Sequence, residues 1–183
     1  MKNIACSFIG HRKIDITEDL KLRLKEVIEN LITKKNVNVF LFGSQSEFNS
    51  LCHLLVTELK QKYPDIKRIA YTCRSETCTL ERERQKWETI YSHQKGREIH
   101  LLGVEEEFEH KTKYTSRRAS YVERNQAMIN DSDYCIFYYN KNYQPEPRKN
   151  SKSMSSCRQK SGTAISFAYA KQKKKNSINI ASL

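Results

Sequence analysis

The chain has 183 residues, with 33 Lys and Arg against 21 Asp and Glu, a net charge of +12 and a pI near 9.4. That length suits one domain with a sizeable core, and no stretch approaches the ~18 consecutive apolar residues of a membrane-spanning helix. The apolar run in MKNIACSFIG is too short for a secretory signal, and the six cysteines form no CxxC pair and no zinc-spaced Cys/His cluster. The expectation is a reduced cytoplasmic protein with no resident metal or cofactor, whose mean hydropathy of −0.76 understates the bulk of ten Tyr and seven Phe.

Ile4 to Ile9 is an apolar run that ends in Gly10-His11-Arg12. Thr17 is a good N-cap, with Glu18 and Asp19 in the first turn, and Leu20, Leu24, Val27, Ile28 and Leu31 follow as a helical stripe. Val39 to Phe42 then reads as a strand buried on both faces. Gly43 closes it, Ser44 and Ser46 offer capping hydroxyls, and Phe48, Leu51, Cys52, Leu55 and Leu59 predict a helix over 46–62. Pro64 ends that helix, and Ile66 to Thr72 reads as a third strand.

From Cys73 to Gly96 the chain is highly charged, with a sparse stripe of Leu80, Trp87, Ile90 and Tyr91 that predicts a surface helix. Glu98 to Val104 reads as a short fourth strand, and Glu105, Glu106, Glu107 and Glu109 as an acidic patch after it. A helix is expected over 117–130 and a buried strand over Tyr134 to Tyr139. Residues 140–160 are basic and aperiodic with two prolines, the composition of a mobile loop. Ser161-Gly162-Thr163 caps a last helix to about Lys173, with Ala164, Ile165 and Ala168 inward, and Ser177 to Ile180 closes the chain as a strand. Strands alternating with helices predict an α/β fold, a doubly wound, mainly parallel sheet.

In such a sheet, ligands bind outside the carboxyl ends of the strands. Turns at Gly10, Gly43 and Gly162 can converge there, each offering backbone amides, and Ser161 and Thr163 add hydroxyls suited to phosphate. The plain alternative for each turn is capping and close packing. There is no GxGxxG and no GxxxxGK[ST], which disfavours an ordinary dinucleotide or P-loop site. In SYVERNQAMIND, Arg124 lies between Tyr121 and Met128 on an otherwise apolar helix face, and Asn125 beside Val122 and Ile129. Such an arginine snorkels, pairs with Glu123 or Asp131, or is held for a bidentate anion contact.

FIGHR, FGSQSEFNSLC, YVERNQAMINDSDYCIFYYN and SGTAISFAYAKQKKKNSINI, in this order, resemble the SLOG superfamily of Rossmann-like domains. The likeness is strongest to small stand-alone YpsA-like proteins of bacteria and extends distantly to the lonely-guy phosphoribohydrolases. It implies one domain over residues 1–183 and a pocket for a nucleotide-derived ligand. The implied ligand-binding residues are Gly10, His11, Arg12, Gly43, Ser44, Glu47, Phe48, Arg124, Asn125, Ser161, Gly162 and Thr163, with His11 on the base or ribose side. In the lonely-guy enzymes an Arg-bearing helix precedes a strand and a Pro-Gly-Gly-x-Gly-Thr-x-x-Glu signature. Arg124 and Gly162-Thr163 match, but the signature shrinks to Ser-Gly-Thr and Ser166 stands at the catalytic Glu position. A serine cannot stabilise an oxocarbenium or activate water as a carboxylate does.

A ligand-binding or sensing domain is therefore the first expectation, with no catalytic residue assigned. A nucleotide N-glycosidase using Glu47 or Glu123 is the second. A nucleic-acid binder, resting on the runs Arg148–Lys160 and Lys171–Lys175, is the third and is not favoured. A dimer or higher oligomer is implied by the resemblance, and no membrane partner.

Overall fold

Six parallel strands in the order β4-β3-β2-β1-β5-β6 form the frame, and the described residues of the computed structural model, 3–43, 46–73, 104–111, 113, 117–143 and 160–182, contain all of them. β1 (Ala5–Gly10) and β2 (Val39–Phe42) lie at the centre and are buried on both faces, as strands of a sheet covered on both sides must be. β3 (Lys67–Cys73) and β4 (Glu106–His110) extend the sheet one way, and β5 (Tyr134–Tyr138) and β6 (Asn176–Asn179) the other. The strand order therefore reverses between β1 and β5, where Gly10 stands opposite Tyr138.

α1 (Glu18–Lys35) buries Leu20, Leu24, Ile28 and Leu31, spacings of four, four and three that keep one stripe on the sheet. Thr17 Oγ1 accepts from the Leu20 amide at one end, and Asn36 closes the other at φ 55°, a left-handed conformation that Asn tolerates. α2 (Glu47–Lys62) packs beside α1, and together they cover Cys6 and Phe8 of β1 and Phe40 and Phe42 of β2. The opposite face belongs to α3 (Arg117–Asn130) and α4 (Gly162–Gln172). Met128 of α3 packs on Ala5, Val39, Leu41 and Tyr71, while Ile129 and Ala170 cover Ile9, Cys135 and Phe137. Cys6, Cys52 and Cys135 are buried free thiols, and burial pushes each up from the ordinary cysteine value, Cys6 and Cys52 well above it.

The sequence reading is extended in one place and corrected in another. Residues 98–103 of the strand expected over Glu98–Val104, and the helix expected around Leu80–Tyr91, lie outside the described residues; the acidic stretch itself carries a strand, Glu106–His110. Glutamates are tolerated there because β3 answers them with cations: Lys67 pairs with Glu106 at 3.5 Å and Arg68 with Glu105 at 2.8 Å. In α4 the buried residues are Thr163, Ser166 and Ala170, and Ala168 is exposed. Ser166 meets Asn125 of α3, while Ala170 joins the apolar cluster with Ile129.

Candidate functional site

The carboxyl ends of β2, β1 and β5 carry the turns that the sequence singles out, and α3 ties two of them together. Arg124 on α3 is only 3% exposed, and its Nη1 donates to the Tyr71 carbonyl at 3.3 Å. The guanidinium lies directly against Gly43, where a Cβ would come within 1.9 Å of Nη1 and 2.7 Å of Cζ. Gly43 is thus the residue that admits Arg124 to the end of the sheet. The Tyr121 ring lies 5.9 Å from the same guanidinium, in cation–π range. Of the two acids considered from sequence as partners of Arg124, Glu123 accepts from the Lys113 amide at 3.0 Å and Asp131 accepts from the Tyr71 hydroxyl at 2.8 Å. Burial and that carboxylate push the Tyr71 phenol above its ordinary value.

One helical step away on α3, Asn125 Nδ2 donates to Ser166 Oγ at 3.2 Å. Ser166 is wholly buried in this helix contact. At the start of α4, Ser161 caps the helix by accepting from the Ala164 amide at 3.1 Å. Gly162 and Thr163, the first two residues of α4, lie ahead of that capped amide at the positive end of the helix dipole.

The start of α2 is built differently. Ser46 Oγ accepts from the Asn49 amide at 3.0 Å and from Asn49 Nδ2 at 2.8 Å, and Asn49 Oδ1 accepts from the Gly43 amide at 3.0 Å. The Glu47 amide donates to the Arg12 carbonyl at 2.9 Å, while the Glu47 carboxylate accepts from the Ile14 amide at 3.0 Å. The Gly43 amide, expected from sequence to be open to an anion, is therefore spent on Asn49 of α2, and the Glu47 amide on the loop after β1. Glu47 is a strap between two turns, and Arg12 is exposed beside it. Phe48 is wholly buried under Gly10, where a Cβ would fall 2.4 Å from its ring, and lies 5.7 Å from the Tyr138 ring. It is a wall of the core beneath the turn. Ser44 lies outside the described residues.

His11 follows β1 at the point where strand order reverses and is 2% exposed. The Asn140 amide donates to its Nε2 at 3.0 Å, joining the end of β1 to the end of β5. The Asn140 carbonyl is 3.3 Å from the same nitrogen, and the shorter amide contact assigns a neutral ring with its proton on Nδ1. Burial lowers the pKa below the ordinary histidine value, partly offset by that carbonyl. Tyr143 stacks on the ring at 3.8 Å and 12°. Sequence reasoning passed over Asn49, Tyr71, Asn140 and Tyr143; the Asn after YCIFYY was the one visible signal among them.

A family model described as the YspA SLOG family (YpsA) matches residues 11–172, which span the turns at His11, Gly43 and Gly162. No curated protein matches the chain.

Proposed function

The chain belongs to the YspA SLOG family, and from that premise we propose that it is a binding domain for a nucleotide or nucleotide-derived small molecule, seated at the carboxyl ends of β2, β1 and β5. Membership suggests nucleotide-related binding or processing. The observation that carries the reading is Arg124, a buried guanidinium brought to the end of the sheet through a gap that only Gly43 leaves. A buried arginine at a strand terminus is matched to a phosphate or carboxylate. The start of α4, with Gly162 and Thr163 leading a capped helix, supplies the second anion-binding element. His11 and its tyrosines lie on the β1–β5 side, where a base or ribose would rest.

Binding without hydrolysis is supported by Ser166, buried on Asn125 at the position where the related phosphoribohydrolases place glutamate. Glu47 and Glu123, the substitutes considered from sequence, are both engaged by backbone amides. Of the basic runs that suggest nucleic acid, Lys175 donates to the carbonyls of Asn130 and Ser132, and Lys171 and Lys173 lie over the Phe167 and Tyr169 rings. Those three side chains serve the fold. Calorimetric titration with nucleoside monophosphates, ADP-ribose and NAD tests the proposal. Saturable binding below millimolar, weakened at least tenfold by Arg124→Lys with the melting temperature held within a few degrees, is the expected result. Heat of binding for none of these compounds would reject it, and base release from any of them would reassign the site as an enzyme.

A further inference from the structure

The geometry points to Tyr143 as the residue on which the ligand's base stacks, with His11 as its positioning residue. The inference rests on the nucleotide reading of the site and deepens it, by assigning base recognition to a residue outside the expected set. Tyr143 sits at the end of a turn held by three hydrogen bonds. Its own amide donates to the Asn140 carbonyl at 3.1 Å, the Asn142 amide to Asn140 Oδ1 at 2.8 Å, and the Asn140 amide to His11 Nε2 at 3.0 Å. The phenol ring lies parallel to the buried imidazole at 3.8 Å, and that imidazole is bracketed by Tyr138 at 6.5 Å and Tyr139 at 6.1 Å.

Tyr143 is thus fixed in position while part of its surface stays accessible, at the point where β1 and β5 part in the sheet order. A ring held this way loses little freedom when a second ring lies on it, which is what a stacking platform requires. The choice of histidine beneath it fits the same role. Phenylalanine would stack on Tyr143 but could not accept the Asn140 amide; glutamine could accept the amide but could not stack. The imidazole does both, at the cost of a buried Nδ1 that has no hydrogen-bond partner among the described residues. A residue present for packing alone would not carry that cost. Because every base has a π-face, the platform selects base-bearing nucleotides over sugar phosphates and discriminates little among bases.

The test is calorimetry on the full chain with AMP, GMP, CMP and UMP, and with ribose 5-phosphate as the base-free control. The wild type should bind the nucleotides at least tenfold more tightly than ribose 5-phosphate. Tyr143→Leu should abolish most of that preference without changing ribose 5-phosphate affinity, and Tyr143→Phe should retain it. His11→Gln, which keeps an acceptor but removes the flat ring, should weaken the nucleotides several-fold, and by more than it weakens ribose 5-phosphate. Nucleotide binding by the wild type that survives Tyr143→Leu, or a loss that falls equally on ribose 5-phosphate, overturns the assignment while the site itself stands. Failure of the wild type to bind any of the five compounds removes the nucleotide reading and this inference with it.

Discussion

Gly10, Gly43 and Gly162 look alike in sequence and differ in what surrounds them. At Gly10 a methyl group would meet the root of the buried Phe48 ring at 2.4–2.5 Å, so Gly10→Ala should destabilise the protein by about 1–3 kcal/mol through overpacking, measured by denaturant unfolding. At Gly43 the same change collides with the Arg124 guanidinium, which is too enclosed to swing into water. Gly43→Ala should therefore weaken ligand binding together with stability, because the displaced group is the one proposed to hold the anion. At Gly162 the nearest described atom is Val122 Cγ2 at 4.0 Å, ordinary van der Waals contact. Gly162→Ala should leave the unfolding midpoint almost unchanged, so any loss of affinity there reports the ligand's approach to the α4 amides rather than damage to the fold.

Among the elements, capping is the simplest contribution to isolate. Ser161→Ala removes the acceptor for the Ala164 amide and should cost about 1 kcal/mol in urea unfolding, a typical value for a lost N-cap. The caps at Thr17 and Ser46 were legible because a hydroxyl residue stands just before an apolar run of helical spacing. The central strands were legible because burial on both faces leaves a continuous apolar run. β4 was not, because its glutamates are compensated by Lys67 and Arg68 on a neighbour more than thirty residues away. The site divides along the same line. Arg124 stood out as a charge on an apolar face, yet its contacts with Gly43 and Tyr71 join segments 81 and 53 positions away and follow only from the packing of α3 on the sheet. The sealing of the Gly43 amide by Asn49 was equally invisible, since i+6 contacts across a turn have no sequence period.

For the molecule as a whole, two titrations set the response to acid. The His11 pKa is lowered by burial, so the unfolded chain takes up the proton first, and stability should fall as pH drops below the ordinary histidine value of 6.5. Glu105 moves for a different reason. Burial would raise its carboxyl, but hydrogen bonds and charge from Arg68, with Lys60 nearby, outweigh this and bring it to about 2. Its contribution is present above the ordinary value of 4.5 and is lost as pH falls from there toward 2. Glu105→Gln should flatten the acid limb of unfolding free energy against pH, and at neutral pH should cost only about 1 kcal/mol because the pair is partly screened by water. His11→Gln should flatten the limb near pH 6 instead, so the two variants separate the contributions.

Convergence of turns remote in sequence on one end of the sheet is the claim on which the functional account depends. It is tested most directly by amide-resolved NMR of the labelled protein during titration with the nucleotide that binds best. Shifts confined to Gly10, Gly43, Gly162, Thr163 and the Asn140–Tyr143 turn, with α1 and the α1-facing side of α2 unmoved, are the predicted result. Shifts centred on the basic residues 148–160 or on the groove between α1 and α2, with those turns silent, would contradict it.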